Sequence, residues 1–262
     1  MNARLARIRI FPVKSLDPVE LDSVAVHGGA GLRRDREWRF VDEAGRVANG
    51  KRLGAAIMGV RSRFDLVSSR LTLEIDGEAV EGSLEDDRSS HERRLSEHLG
   101  EVIRFERDSD RGFPDDTEAS GPTLISRATL VEVAAWFGLD EEEVARRFRA
   151  NLEVDGVPAF WEDRLCGAEG EPRFFQVGEV RLEAVNPCAR CAVPSRDSYS
   201  GEIARPDFAK AFAEMRREAL PQWAEPSRFD HFYRLAVNTR VPASEDGKAI
   251  SVGDVCVQAE AA

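Results

Sequence analysis

Residues 186–194 read Asn-Pro-Cys-Ala-Arg-Cys-Ala-Val-Pro, and they are the densest group of chemically capable side chains in the sequence. The segment follows a strand-like run at 180–185 and leads into a loop at 195–201. Catalytic and ligand-binding residues are often found on loops that a rigid scaffold presents. The two prolines and the central arginine argue against a dry core position, so the segment predicts accessible thiols at Cys188 and Cys191.

Several kinds of cysteine chemistry can be compared with this spacing. A zinc site takes about four ligands, usually from two close pairs, whereas here Cys166, Cys256 and the four histidines are scattered. A thioredoxin-like redox pair lies beside a βαβ unit, which this sequence does not predict. The spacing alone therefore leaves one reactive thiolate or a weak redox pair. Arg190, between the two cysteines, favours the thiolate form, and a thiolate is a soft ligand suited to thiophilic metals.

The patterns on both sides of this segment predict a β-rich α+β fold. Short alternating runs separated by turns fill residues 4–80 and indicate a small barrel or sandwich. Helices are predicted at 130–137, after Asp140 and at 208–219, and further strands at 174–177, 180–185, 232–237 and 255–258. Strands and helices that alternate without a regular βαβ repeat are typical of α+β proteins.

Two domains are expected from this arrangement. Residues 83–119 are polar and acidic except for 99–105, which predicts a helix end followed by a strand. The rest of that segment predicts linker and surface. We therefore expect a small β-barrel-like domain at 1–85 and, at 86–262, a mixed β-barrel with peripheral helices.

The composition excludes several classes of function. The chain has 262 residues, of which 42% are apolar, and a chain of this length buries roughly 70–75% of its unfolded surface without disulfides. Its net charge is −11, so the chain as a whole lacks the excess of basic residues that nucleic-acid binding needs. No apolar run approaches the ~20 residues of a membrane helix, and no apolar signal core follows Met1. We expect a protein of the cytoplasm, where the four cysteines stay reduced.

The cysteine segment resembles the signature loop of MOSC-domain proteins, which include the mitochondrial amidoxime-reducing component and its bacterial relatives. The resemblance rests on Cys188-Ala189-Arg190-Cys191, with Asp197 and Gly201 following it. It implies that Cys191 is the protein ligand to molybdenum, that Asp197 lies near the metal and that Cys188 is a structural neighbour. Relatives usually follow the acidic residue with proline, whereas this chain has Ser198.

Two N-terminal segments resemble the same family. Phe11-Pro12-Val13-Lys14-Ser15 resembles its aromatic-Pro-Val/Ile-Lys-Ser segment, and residues 31–38 resemble its Gly-Leu…Asp-Arg-x-Trp segment. The match implies that Lys14, Ser15 and Arg36 hold the phosphate of a pterin cofactor. These residue types suit phosphate, since lysine is a point charge, serine a donor and arginine a two-pronged fork. The chain departs from its relatives after Ser15, where Asp17 adds a negative charge.

A third segment, residues 147–152, resembles the family's Phe-Arg-x-Asn-Ile/Leu run and implies cofactor contacts from Arg149 and Asn151. On a strand these two residues would point to one face, although helix-end and turn roles would also account for them. Ser126 resembles a family serine, and it fits either a helix N-cap or an anion site at the helix N-terminus.

The resemblance covers nearly the whole chain in consistent order. It implies an N-terminal MOSC-associated barrel at 1–85, a MOSC domain at 86–262 and a molybdenum cofactor (Mo-molybdopterin). Relatives reduce N-hydroxylated small molecules such as amidoximes and hydroxylamines. This chain has neither a four-cysteine iron–sulfur pattern nor a glycine-rich dinucleotide fingerprint. A separate ferredoxin-, flavodoxin- or cytochrome-like protein would therefore supply the electrons.

Two other functions remain open from the sequence. MOSC domains also occur at the end of molybdenum-cofactor sulfurases, so the chain could be a cofactor or sulfur carrier without turnover, with a persulfide on Cys191 or Cys188. A cysteine redox or zinc module without molybdenum would explain the cysteine pair alone.

Overall fold

Fifteen strands and six α-helices make up the part of the chain, residues 3–258, that the computed structural model describes. The strands are β1 (Ala3–Ile10), β2 (Val19–Leu21), β3 (Ser23–Ala25), β4 (Trp38–Asp42), β5 (Arg61–Asp65), β6 (Arg70–Ile75), β7 (Glu78–Ser83), β8 (Ile103–Arg107), β9 (Leu124–Ser126), β10 (Leu152–Asp155), β11 (Arg173–Val177), β12 (Val180–Ala189), β13 (Arg234–Arg240), β14 (Ala249–Ser251) and β15 (Val255–Gln258). The helices are α1 (Gly50–Leu53), α2 (Ala55–Met58), α3 (Ser89–Leu99), α4 (Arg127–Phe137), α5 (Glu141–Phe148) and α6 (Phe208–Glu218).

Seven strands close into a barrel in the order β10-β9-β13-β12-β11-β15-β1, and β1 pairs back onto β10. β9 and β10 run parallel, while the other neighbours in the ring are antiparallel. The inward side chains alternate along each strand, as Phe175 and Val177 do on β11 and Val180 and Leu182 on β12, and they are fully buried. Closure leaves the ring without an open edge.

A second core lies in the N-terminal lobe, which we define as residues 34–112. There β4 pairs with β8, β5-β6-β7 form a three-stranded sheet, and α3 packs against both. The core includes Trp38 and Phe40 of β4, Leu73 of β6, Leu95 of α3 and Phe105 of β8. The lobe therefore contains two small sheets and the helices α1, α2 and α3 around one apolar centre.

The linker predicted at 83–119 is wrong for residues 89–99, which form α3. The helix buries only His91 and Leu95, one turn apart, so its sequence has almost no apolar stripe. The boundary predicted at residue 85 falls just before α3, and it separates α3 and β8 from the strands against which they pack.

A third core joins the helices to one side of the barrel. α4 and α5 begin as predicted at N-cap side chains: Ser126 Oγ accepts from the Thr129 amide at 3.1 Å and Asp140 Oδ1 from the Glu143 amide at 2.7 Å. The predicted β-rich α+β class is confirmed. No helix within residues 3–258 has both the length and the apolar character to cross a bilayer.

Candidate functional site

A cleft of about 680 Å³ opens between the N-terminal lobe and the barrel. Its charge is opposite to that of the acidic chain, because ten lining side chains are cationic and three are acidic. The cations are Arg9, Lys14, Arg36, Lys51, Arg61, Arg146, Arg147, Arg149, Arg190 and Arg234, and the acids are Asp17, Asp115 and Asp116. Such a cleft concentrates anions, so it suits a negatively charged ligand.

Both cysteines of the CxxC pair line this cleft and are partly exposed. β12 carries Cys188 to its carboxyl end, and Arg190 Nη1 donates to Cys188 Sγ at 3.0 Å. Arg190 is fixed there because its other amino group donates to the Phe148 carbonyl and its guanidinium lies over the Phe148 ring. Arg190 therefore holds its guanidinium against Cys188, three residues before the predicted metal ligand Cys191.

The other two cysteines have no access to the cleft. Cys166 and Cys256 are buried in the barrel core, and this burial raises the pKa of each thiol to about 12. Among residues 3–258, no group of three or more histidine, cysteine or acidic side chains is placed to hold a metal ion. A metal in the cleft would therefore need further ligands from a bound cofactor or from solvent.

The loop after Cys191, residues 192–202, runs between the N-terminal lobe and the barrel, and we call it the strap. Asp197 accepts from the amides of Ser200 and Tyr199 at 2.8 and 3.0 Å. These bonds, first that of the Ser200 amide, hold the pKa of the carboxyl below its usual range. Asp197 does not line the cleft; its carboxylate shapes the turn of the strap.

A buried glutamate of α5 anchors the strap, and sequence reasoning missed it. Glu143 accepts from the Ser198 amide at 3.0 Å and from the Ser198 hydroxyl, and it also pairs with Arg147. A proline at this position would have neither of the two donors that Ser198 supplies. The sequence offered no signal for this contact beyond the position of Glu143 in the first turn of α5, because 55 residues separate the partners.

An exposed aromatic ring of the strap lies between the N-terminal lobe and α5. The Tyr199 ring lies beneath the guanidinium of Arg61, from β5, at 5.2 Å and that of Arg146, from α5, at 4.6 Å. The Ser198 carbonyl also accepts from Arg61 at 3.3 Å. These contacts tie the strap, which directly follows the cysteine pair, to the two sides of the cleft.

The structure brings the three N-terminal site residues, Lys14, Ser15 and Arg36, to the cleft wall. Arg36 pairs with Asp35, and its guanidinium lies 5.4 Å from the Phe11 ring centre. Burial lowers the pKa of the Lys14 amine, partly offset by an acidic neighbour. Two basic side chains and a serine hydroxyl thus lie together at this end of the cleft.

Arg149 lines the same end of the cleft and is its most unusual cation. Its guanidinium lies 4.0 Å from the Phe11 ring centre and donates to the Leu16 carbonyl at 2.8 Å. Within residues 3–258, no carboxylate lies within ion-pair distance of it. Burial, and then repulsion from Arg36, lower its pKa to about 10. A half-buried cation that lacks an ion pair of its own favours the binding of an anion.

The structure does not bring Asn151 or Ser126 to the cleft. Asn151 is 1% exposed. Its side-chain oxygen accepts from the Thr123 amide at 3.1 Å, and its side-chain nitrogen donates to the Arg9 carbonyl at 3.0 Å. The rule that places residues i and i+2 on one face fails here, because Arg149 ends α5 with a left-handed backbone. Ser126 is 0% exposed and caps α4.

Two family models match the chain after one another. The model of the MOSC N-terminal beta barrel domain matches residues 2–112, and that of the MOSC domain matches residues 118–257. Among solved structures, the YUAD protein from Bacillus subtilis covers 100% of this chain and 98% of its own, at 17% identity and a TM-score of 0.43.

Curated relatives share the name molybdenum cofactor sulfurase. The relative from Drosophila mojavensis is 25% identical over 289 residues, covering 98% of this chain and 35% of its own length. The relative from Danio rerio is 27% identical over 239 residues, covering 72% of this chain and 28% of its own. The chain thus spans about a third of these longer proteins. Since the MOSC model alone matches more than half of the sequence, the chain belongs to the MOSC domain family.

Proposed function

We propose that the cleft binds a molybdenum cofactor, Mo-molybdopterin, and that the chain reduces N-hydroxylated compounds such as amidoximes and hydroxylamines. The observation that carries this proposal is the half-buried charge of Arg149, which has no ion pair of its own within residues 3–258, in a cleft that also presents two thiols. A ligand with an anionic end and a thiophilic metal would satisfy both features. When bound, such a cofactor supplies two-electron reduction of an N–O bond.

The chain's own residues would hold the two ends of this ligand. Cys191 would be the thiolate ligand to the metal, and Lys14, Ser15, Arg36 and Arg149 would hold the phosphate. These roles are supported by the position of all five side chains on the wall of one cleft. The guanidinium forks suit a phosphate, and the buried setting strengthens each contact.

Asp197 is proposed to act by positioning. Its hydrogen bonds to the Tyr199 and Ser200 amides hold the turn of the strap, and the strap begins directly after Cys191. A fixed strap would keep the Cys191 thiol oriented toward the ligand. We infer a catalytic contribution of Asp197 through this geometry.

Reduction of a substrate requires electrons from outside the chain. We propose a small ferredoxin-, flavodoxin- or cytochrome-like donor protein and a small-molecule substrate. The net charge of −11 would favour a donor with a basic face. A reducing compartment such as the cytoplasm would keep all four free cysteines as thiols.

A second function, a cofactor or sulfur carrier without turnover, is favoured by one contact. Arg190 donates to Cys188 rather than to the proposed metal ligand, so Cys188 is a candidate nucleophile for sulfur. The curated relatives named molybdenum cofactor sulfurase support this function as well. A carrier would bind the cofactor but would not reduce an amidoxime.

Elemental mass spectrometry tests the binding proposal. Molybdenum and tungsten are counted per protein molecule for the full chain, Cys191→Ala and the matched control Cys188→Ala, all from a host that loads a control molybdoenzyme. We expect about one equivalent in the wild type, most of it in Cys188→Ala, and none in Cys191→Ala. Absence of metal from the wild type would sink the proposal.

Turnover separates the two candidate functions. The metal-loaded chain is given benzamidoxime and a chemical reductant, and benzamidine is quantified. Product that disappears in Cys191→Ala supports the reductase. Full metal loading without product would favour the carrier.

A further inference from the structure

The chain places one of its own carboxylates in the cationic end of the cleft. Lys14 Nζ contacts Asp115 Oδ1 at 2.8 Å, and it donates to the carbonyls of Phe113 at 2.9 Å and Pro114 at 3.4 Å. All of these acceptors belong to one short segment. In this conformation the amine of Lys14 is fully engaged by the protein.

Two further cations act on the same carboxylate. Partial desolvation would raise the pKa of Asp115, but the charges of Arg36 and Lys14 outweigh it and hold the pKa at about 2, with a further contribution from Arg149. Asp115 is therefore ionised throughout the neutral range. Asp115 thus contacts Lys14 directly and lies in the field of Arg36 and Arg149, while Arg149 has no ion pair of its own within residues 3–258.

The segment that carries Asp115 is held at its ends and open in the middle. Residues 113–121 form neither helix nor strand. At one end, a Cβ on Gly112, whose φ is +63°, would lie 2.9 Å from the Asp35 carbonyl oxygen, and at the other a Cβ on Gly121 would lie 2.6 Å from Thr239 Oγ1. In contrast, 70% of the Asp115 side chain is exposed, so its ion pair with Lys14 forms at the open surface of the cleft.

We infer that Asp115 is a built-in counter-anion, which occupies the phosphate end of the cleft and which an anionic ligand must displace. The inference rests on the proposed function only for the identity of that ligand as a cofactor phosphate. The segment around Asp115 swings away as the anion enters, Lys14 transfers its ion pair to the anion, and the charges of Arg36 and Arg149 act on the anion instead of on Asp115. The ligand-free cleft is thereby neutralised, and weakly bound anions are excluded.

Competition of this kind lowers the apparent affinity for every anion by the same factor. If the Asp115-occupied form is about ten times more populated than the open form, the apparent Kd is about tenfold above its intrinsic value. Asp115→Asn keeps the shape of the side chain and removes its charge. The apparent affinity for phosphate should therefore rise about tenfold in this variant.

Isothermal titration calorimetry with inorganic phosphate tests the inference on the full chain, at pH 7.5 and low ionic strength. Asp116→Asn is the matched control, because Asp116 lines the same cleft and has the same charge but makes no ion pair within residues 3–258. We expect tighter binding in Asp115→Asn and an affinity within twofold of wild type in Asp116→Asn. Arg149→Met should bind phosphate weakly, which locates the site.

Three outcomes would overturn the inference. Asp115→Asn could bind phosphate equally or more weakly than wild type, which would make Asp115 a supporting residue. Both aspartate variants could gain equally, which would be a general charge effect. The third outcome is that neither the wild type nor any variant binds phosphate, which would leave nothing for Asp115 to exclude. Asp115→Ala serves as a second variant if the asparagine form does not fold.

The assay contains no molybdenum, so its result is independent of the proposed function. Tighter phosphate binding in Asp115→Asn together with a wild type that never loads metal would uphold the counter-anion and reject the cofactor. Metal loading with unchanged phosphate affinity in Asp115→Asn would do the reverse.

Discussion

Glu162 is a carboxyl group enclosed by the junction of α4 and the barrel. It is 1% exposed, and its Oε2 accepts from the Thr129 hydroxyl at 3.1 Å, while Oε1 has no hydrogen-bond partner within residues 3–258. Burial, and then the neighbouring charge of Asp163, raise the pKa of Glu162 to about 7. The neutral form is the one that the folded protein favours.

This carboxyl makes stability depend on pH. Because its folded pKa lies above its unfolded value, near 4.3, the folded state holds the proton more tightly, and its contribution is lost as pH rises through about 7. Glu162→Gln should match wild type at pH 4, below the unfolded pKa, and be more stable at pH 8 by about 3 kcal/mol. Urea unfolding at the two pH values measures this. A constant difference between variant and wild type would contradict the assignment.

Ser126 illustrates a structural role at a position where the family resemblance implied a ligand contact. Its hydroxyl accepts from the Thr129 amide at 3.1 Å and lies 2.8 Å from the Thr129 hydroxyl. Ser126→Ala should lower the free energy of unfolding by about 1–2 kcal/mol, the usual effect of losing an N-cap, and should leave molybdenum content unchanged. Loss of metal from a variant that remains folded would restore the ligand role.

At the scale of elements, the strap and α2 approach each other through a glycine. Gly201 has a φ of +69°, and an added Cβ would lie 2.4 Å from the Ala55 Cα. Gly170 has a φ of +81° with no atom within 4 Å of the same position. Alanine at either glycine would meet the same backbone strain, but only at Gly201 would it also meet a steric contact.

Gly201→Ala should therefore destabilise the protein more than Gly170→Ala does. A left-handed alanine alone costs about 1 kcal/mol, and the forced contact with α2 adds about 1–3 kcal/mol. Urea midpoints of the two variants and the wild type measure the difference. Equal losses would mean that the strap yields freely and is not pressed against α2.

The elements that the sequence predicted correctly are those with local causes. The cap at Asp140, the apolar stripe of α6 and the hairpin of β11 and β12 follow from spacing within ten residues. α3 was missed because its two buried side chains leave almost no stripe. Contacts across the cleft have no local cause, so no pattern in the sequence predicted that Asp115 would reach Lys14 from 101 residues away.

At the scale of the whole molecule, the order of the strands along the sequence differs from their order around the barrel. β1 starts the sequence, yet it lies in the ring between β10 and β15, with Leu5 opposite Val154 and Arg4 opposite Val255. The N-terminal lobe is thus an excursion of the chain between strands that belong to the barrel. A boundary drawn by sequence position alone, as at residue 85, separates β1 from its partners.

The barrel should therefore not form from residues 86–262 alone, because β10 and β15 would each lose a partner strand and the ring would open. A fusion of residues 1–33 to residues 118–262 through a short Gly-Ser linker restores β1. Its ends are close, since the Ser120 hydroxyl donates to the Ala30 carbonyl at 2.8 Å. We expect a cooperative urea transition from the fusion and none from the fragment. A cooperative transition from the fragment would show that β1 is dispensable, and failure of both would mean that the barrel also requires the N-terminal lobe.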